Sequence, residues 1–348
     1  MSSKSDAKLQ KLNLGPDWID LSFGEPKVVA MSLRRQLNRF GTPFKMPTFE
    51  DMGKWEYQPA AGNLELTQFL EKKYDAKVVV CNGAKQALTA ACNTMASKVK
   101  SNRIGPASIY YGIPYYPANP IATDKFYRID DKDIADCLLI TSPNNPDGKN
   151  YTNSQLVDMQ TRKPMIHDAA YYSPIYLPYD QFPIPLGRVQ IYSMSKSYGI
   201  SGLRIGYAVC HDESYYQPIV DYMEETTAGV SAASQQVALN IETFFAENPG
   251  CKLEFEQDAR EEIADARMEL EMIDKDVMTL VPCSHNSMFV WAKAGPALDY
   301  NAAKVYILQG ELFGQPGMVR LNIAHPAEII REAVRRLNAS KIQKDPKI

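Results

Sequence analysis

The sequence predicts an α/β fold: a mostly parallel central sheet with helices on both faces, followed by a smaller α+β C-terminal domain. Short apolar runs recur between Lys77 and about Cys210, namely KVVVC, ASIYY, CLLIT, PMIHD, VQIYS and RIGYAVC, with helix-like or turn-rich stretches between them. Most are continuously apolar rather than alternating, which suits strands covered on both faces. Beyond about Asp212 the pattern turns helical. LEFEQDAREEIADARMELEMI carries apolar residues at helical spacing among many charges and is expected to form a long exposed connector helix. NSMFVWAK and GMVRLNIA then read as strands and AEIIREAVRRLNAS as an amphipathic helix, enough for a small α+β unit.

A chain of 348 residues exceeds what one small core organises, so a large lobe and a smaller one are expected. The boundaries expected are 1–45 for an N-terminal arm with part of the small domain, 46–235 for the large domain, and 236–348 for the connector helix and small C-terminal domain. Hydrophobic residues make up 45% and charged residues 23%, with a net charge of −3, so no basic excess invites nucleic acid or anionic lipid. The first residues, MSSKSDAKLQKLNLGPDW, lack the apolar core of a signal peptide, and no apolar run approaches the roughly 18 residues of a membrane span. A cytoplasmic protein with no membrane partner is expected. Six cysteines (Cys81, Cys92, Cys137, Cys210, Cys251, Cys283) form no CxxC pair, and several sit inside apolar runs. They read as reduced core thiols, since a disulfide framework or zinc site needs closer spacing or histidine partners. No metal site is expected.

Three stretches carry chemistry. In VVVCNGAKQALTAACN a buried-type strand ends at Gly83 and a helix opens at Ala84 and Lys85, leaving outward N–H groups and a positive dipole end that favour an anion. Taken alone, the same junction is more often only a tight turn. In PMIHDAAYYSP, Asp168 follows a strand directly, where an open α/β sheet binds ligands, although strand-end aspartates commonly serve as caps. Tyr171, three residues on, can reach the same ligand. In IYSMSKSYGISGLRIGYAVC, Lys196 follows a strand among Ser193, Ser195, Ser197 and Arg204. A single lysine is usually a solvated charge, but the Ser193 and Ser195 hydroxyls and the Arg204 cation can bind phosphate. A nearby cation with partial burial also lowers a lysine pKa toward nucleophilic competence.

At these residues the chain resembles the class I/II aminotransferase family of fold-type I pyridoxal phosphate (PLP) enzymes over nearly its whole length. NGAK resembles the family's phosphate-cradling turn, SPNNPDG its NNPTG-like turn, Asp168 to Tyr171 its D-x-x-Y, and Ser193 through Gly206 its S-x-S-K…R-x-G, in the family's order. The resemblance implies that Lys196 forms the Schiff base with pyridoxal 5′-phosphate and shuttles the Cα proton. It implies that Asp168 pairs with the pyridine nitrogen, and that Asn145 and Tyr171 hydrogen-bond the phenolic oxygen. Tyr116, or Tyr115 in an ambiguous register, corresponds to the stacking aromatic. Gly83, Ala84, Lys85, Ser193 and Arg204 correspond to the phosphate cup, and Tyr57 to a tyrosine reaching over from the neighbouring subunit, which implies a homodimer. Arg320, with Gly24 and Asn145, corresponds to the clamp on the substrate α-carboxylate; otherwise Arg320 reads as a strand-edge ion pair. Asp147 departs from the family, which has a hydroxyl or apolar residue at that place in the turn.

The activity implied is transfer of an amino group between an amino acid and a 2-oxo acid. Decarboxylases, C–S lyases and synthases of the superfamily share the same shell of residues and form the alternative. A non-catalytic binder has no chemical need of Lys196 and Asp168.

Overall fold

A computed structural model describes residues 15–39, 56–101, 103–106, 127–128, 135–177, 184–282 and 287–340. A short strand, β1 (Ile19–Asp20), precedes β2 (Lys77–Asn82), β3 (Arg103–Pro106), β4 (Tyr127–Arg128), β5 (Cys137–Thr141), β6 (Met165–Asp168), β7 (Val189–Ser193) and β8 (Ile205–Cys210). Among the described residues β2 to β8 make one seven-stranded sheet in the order β2-β8-β7-β6-β5-β3-β4. The pairings from β4 through β7 are parallel. The run RIGYAVC departs from that pattern, because β8 lies antiparallel between β2 and β7. From Ser193 to Ile205 the chain makes one helical turn and one 3₁₀ turn rather than a covering helix. The ASIYY run (107–111) lies outside the described residues.

This topology gathers the functional ends. Because β8 opposes both neighbours, β2 runs parallel to β7, and their C-terminal residues Asn82 and Ser193 face Ile205 and Gly206 of β8. Thr141 of β5 and Asp168 of β6 are register partners on the same edge. The Gly83 turn, Asp168 and the Lys196 segment therefore open onto one crevice.

Burial follows the apolar runs. All six residues of β8, all five of β7 and all four of β6 are buried, as expected for strands covered on both sides. The helix Ala84–Val99 covers one face with Ala87, Leu88, Ala91, Cys92 and Met95. Cys81, Cys92, Cys137, Cys210 and Cys251 are free and buried, and burial pushes the first four thiols well above their ordinary range.

The C-terminal part adds β9 (Met278–Leu280), β10 (Phe289–Ala294), β11 (Val305–Tyr306), β12 (Leu308–Gln309) and β13 (Met318–Asn322). Among the described residues, β12-β13-β10-β9 form an antiparallel sheet and β11 pairs in parallel with β1. The helix Pro249–Leu270 differs from the exposed connector expected. Cys251, Phe255, Ala259, Ile263, Ala266 and Leu270 recur every three or four positions as a buried stripe, packed against the helices Lys27–Arg39 and Ala327–Ala339. Its charges occupy the other face, where Arg35 and Arg39 pair with Glu262 and Glu254.

Candidate active site

Gly83 stands at φ +77 between β2 and the helix Ala84–Val99, with no side-chain cap on the helix. A Cβ there would lie 2.4 Å from Nη2 of Arg204, so the guanidinium lies directly against the turn. Gly206 explains how closely the two segments approach: its Cβ would lie 2.3 Å from the Ala84 amide nitrogen and 2.6 Å from the Gly83 carbonyl carbon. The helix start, with the positive end of its dipole, and the Arg204 guanidinium thus share one spot that suits an anion. Among the described residues the Ser195 hydroxyl is buried with no hydrogen-bond partner. Ser193 is buried as well, and Lys85 is exposed at the helix start.

Asp168 ends β6, where burial pushes its carboxyl up to about 6 against the opposing pull of the Ala170 N–H and Lys196. Its Oδ1 accepts from the Ala170 amide at 3.1 Å. The preceding His167 faces the other way and is buried, which drops its pKa to about 4 and keeps it neutral. Nε2 meets only an acceptor, the Ser142 carbonyl at 3.3 Å, while Nδ1 receives the Leu186 N–H at 3.1 Å, so Nε2 carries the proton. His167 thereby braces the loop that carries Asn145. Asp147 stitches the same loop, accepting from Asn144 Nδ2 at 2.7 Å and from the Lys149 amide at 3.2 Å. The family departure at Asp147 is thus a turn-forming one. Asn145 is buried, donates through Nδ2 to the Tyr171 hydroxyl at 3.3 Å, and accepts through Oδ1 from Arg320 Nη1 at 2.8 Å.

Lys196 lies in the single helical turn Met194–Ser197 that follows β7. Burial lowers its pKa to about 8, assisted by the Arg320 and Arg204 cations and opposed by Glu25 and Asp168. Its Nζ donates to the Gly24 carbonyl. Arg320, on β13, also donates through Nη2 to the Ser22 carbonyl at 2.6 Å, and its guanidinium lies 3.9 Å from the centre of the Phe289 ring. The same ring meets Tyr171 edge-on at 5.5 Å, and it would lie 3.2 Å from a Cβ at Gly24. A buried carboxyl, the Arg204 guanidinium at the anion cradle and the fixed Arg320 guanidinium therefore all lie within electrostatic reach of the Lys196 amine. That set can hold an anionic aromatic cofactor, move a proton and grip a carboxylate.

Gly24, Gly83, Ala84, Asn145, Asp168, Tyr171, Ser193, Lys196, Arg204 and Arg320 converge on this crevice. Tyr116 lies outside the described residues. Tyr57 is 91% exposed. Sequence reasoning passed over Ser22, Glu25, His167, Tyr176 and Phe289. Phe289 sits inside the NSMFVWAK strand, where nothing distinguishes a ring under an arginine from any core aromatic.

The Allinase family model matches residues 71–258. Tryptophan aminotransferase-related protein 2 of Arabidopsis thaliana is 34% identical over 175 residues, 46% of this chain and 37% of that protein. Alliin lyase of Allium cepa var. aggregatum is 34% identical over 105 residues, 30% of this chain and 22% of its own. The chain thus spans about a third of the length of the tryptophan aminotransferase-related proteins it matches. Among solved structures, Thermus thermophilus aspartate aminotransferase tetra mutant 2 complexed with tryptophan superposes with a TM-score of 0.73 at 21% identity, covering 98% of this chain and 97% of that one. Thermotoga maritima aspartate aminotransferase gives 0.70 at 22% identity, covering 97% and 95%. At these identities the structural likeness establishes the fold.

Proposed function

The chain belongs to the Allinase family, among the aminotransferase-like enzymes of PLP fold-type I, and on that footing we propose that it transfers an amino group between an amino acid and a 2-oxo acid with PLP held on Lys196. The observation that carries this reading is the placement of Lys196, buried in the crevice with its Nζ on the Gly24 carbonyl and within electrostatic range of Arg320, Arg204 and Asp168. The residues present suit the cofactor. The Gly83 turn and Arg204 suit its phosphate, the partnerless buried Ser195 hydroxyl suits a polar ligand group, and the buried Asp168 carboxyl suits a pyridine nitrogen.

Bound PLP supplies a ring that withdraws electrons from the substrate Cα and so makes its C–H bond acidic. Lys196 Nζ would hold the cofactor through its aldehyde carbon and, once freed by the substrate amine, would carry the Cα proton to that same carbon, C4′. Asp168 would accept a hydrogen bond from the pyridine nitrogen and keep it protonated. Tyr171 and Asn145, already hydrogen-bonded to each other, would hold the phenolic oxygen, and Asn145 also holds Arg320, which would bind the α-carboxylate. Keeping that carboxylate gripped favours loss of the Cα proton over loss of carbon dioxide. Tyr57, exposed on its own chain, is assigned to the neighbouring subunit's phosphate site in a homodimer.

The similarity to alliin lyases favours a second reading, cleavage of a C–S bond. Incubation of the PLP-loaded protein with tryptophan or alliin separates the two. Transamination yields 2-oxo acid beyond one equivalent per site only when an acceptor 2-oxo acid is present, and releases no ammonia. Cleavage yields pyruvate and ammonia without an acceptor, and that result would replace the first reading with the second.

A further inference from the structure

Lys196 depends on a helix of one turn, closed by the Tyr198 N–H to the Met194 carbonyl at 3.0 Å. So short a helix does not hold its own backbone, because fixing a first turn costs more than its hydrogen bond returns. Two hydroxyls brace it. Ser197 Oγ donates to the Ser193 carbonyl at 3.1 Å, and the Tyr176 hydroxyl donates to the carbonyl of Lys196 itself at 3.0 Å.

Tyr176 is 3% exposed, and burial pushes its phenol well above the ordinary range, so it remains a donor at working pH. Met288 Sδ lies 3.6 Å from the same hydroxyl, but one proton serves one acceptor, and the carbonyl is nearer and stronger. Met288 precedes Phe289, the ring beneath Arg320. The hydroxyl therefore stands between the backbone of the lysine and the strand that supports the carboxylate clamp. We propose that Tyr176 is a positioning residue for Lys196: by holding the Lys196 carbonyl it fixes the direction in which the amine is presented. It thereby sets how fast that amine takes up PLP and moves the proton. The proposal rests on the reading of Lys196 as the PLP-bearing lysine.

Tyr176→Phe keeps the ring and removes the bond. In the full chain, PLP uptake by the apo-protein, followed by absorbance, should slow by roughly two- to tenfold, the range one lost hydrogen bond allows. The kcat should fall by a similar factor, with the KM for the amino donor unchanged. A merely structural hydroxyl would instead lower the melting temperature and leave uptake and the kcat-to-KM split alone. Met288→Leu, which keeps the carbonyl bond, should take up PLP as fast as the wild type. Equal uptake by wild type and Tyr176→Phe overturns the proposal alone, as does a Met288→Leu variant as slow as Tyr176→Phe. A wild type that takes up no PLP at Lys196 overturns the reading beneath it and the proposal with it.

Discussion

Arg320 Nη1 donates to Asn145 Oδ1 at 2.8 Å, joining two residues 175 positions apart. Asn145 in turn donates to the Tyr171 hydroxyl. One amide thus couples the group assigned to the substrate carboxylate with the group assigned to the phenolic oxygen of PLP. Asn145→Ala loses both contacts. The KM for the amino donor should rise roughly tenfold or more, since a hydrogen bond to a charged group contributes about 1.5–3 kcal/mol. The pH at which the absorbance of lysine-bound PLP titrates should rise as well, and steady-state kinetics with a spectral titration would read both. A change in neither would remove Asn145 from the site.

Asp168 is raised to about 6 from an ordinary 3.8 by burial. For a carboxyl whose folded pKa lies above its unfolded one, the stability cost is absent below about pH 4 and fully present above about pH 6. Asp168→Asn removes the charge and keeps an acceptor for the Ala170 N–H. The apo variant should be more stable than wild type by about 3 kcal/mol at pH 7, with the difference vanishing near pH 4. Urea unfolding at the two pH values measures this. The same variant should lose most activity, because a neutral amide does not keep a pyridine nitrogen protonated.

Lys196 is lowered to about 8 from 10.5. Only the neutral amine attacks a carbonyl, so the rate of PLP uptake by the apo-protein should climb with pH and level off above about 8. A rate that keeps climbing toward 10 would mean an unperturbed lysine.

Gly206→Ala drives a Cβ into the Ala84 amide and the Gly83 carbonyl carbon, both backbone atoms that cannot swing aside. The helix start must move, at a stability cost of about 1–3 kcal/mol. PLP affinity, measured by equilibrium dialysis, should fall more than the affinity of Gly202→Ala, where a Cβ meets nothing within 4 Å. Equal affinities would separate the cradle from PLP.

Much of this site was legible in the sequence because its parts are local. The strand, Gly83 and helix start are contiguous, Asp168 and Tyr171 lie three positions apart, and Lys196 and Arg204 share one segment. Two features were not local and could not be read. The antiparallel course of β8 leaves no mark in the residues, which look like any buried run. The contacts of Lys196 with Gly24 and of Arg320 with Asn145 depend on how the N-terminal segment and β13 meet the crevice. The helix Pro249–Leu270 was misjudged as exposed because its dense charges mask a narrow stripe built partly from alanine. Tyr176 and Phe289 gave no signal, since a buried ring looks the same in sequence whether it fills space or fixes a neighbour.

Whether Lys196 carries PLP is read out by borohydride reduction of the PLP-incubated protein, followed by peptide mass spectrometry. A stable cofactor adduct is expected on the peptide containing Lys196 and not in Lys196→Ala. An adduct on another lysine alone, or none in the folded wild type, would contradict that expectation.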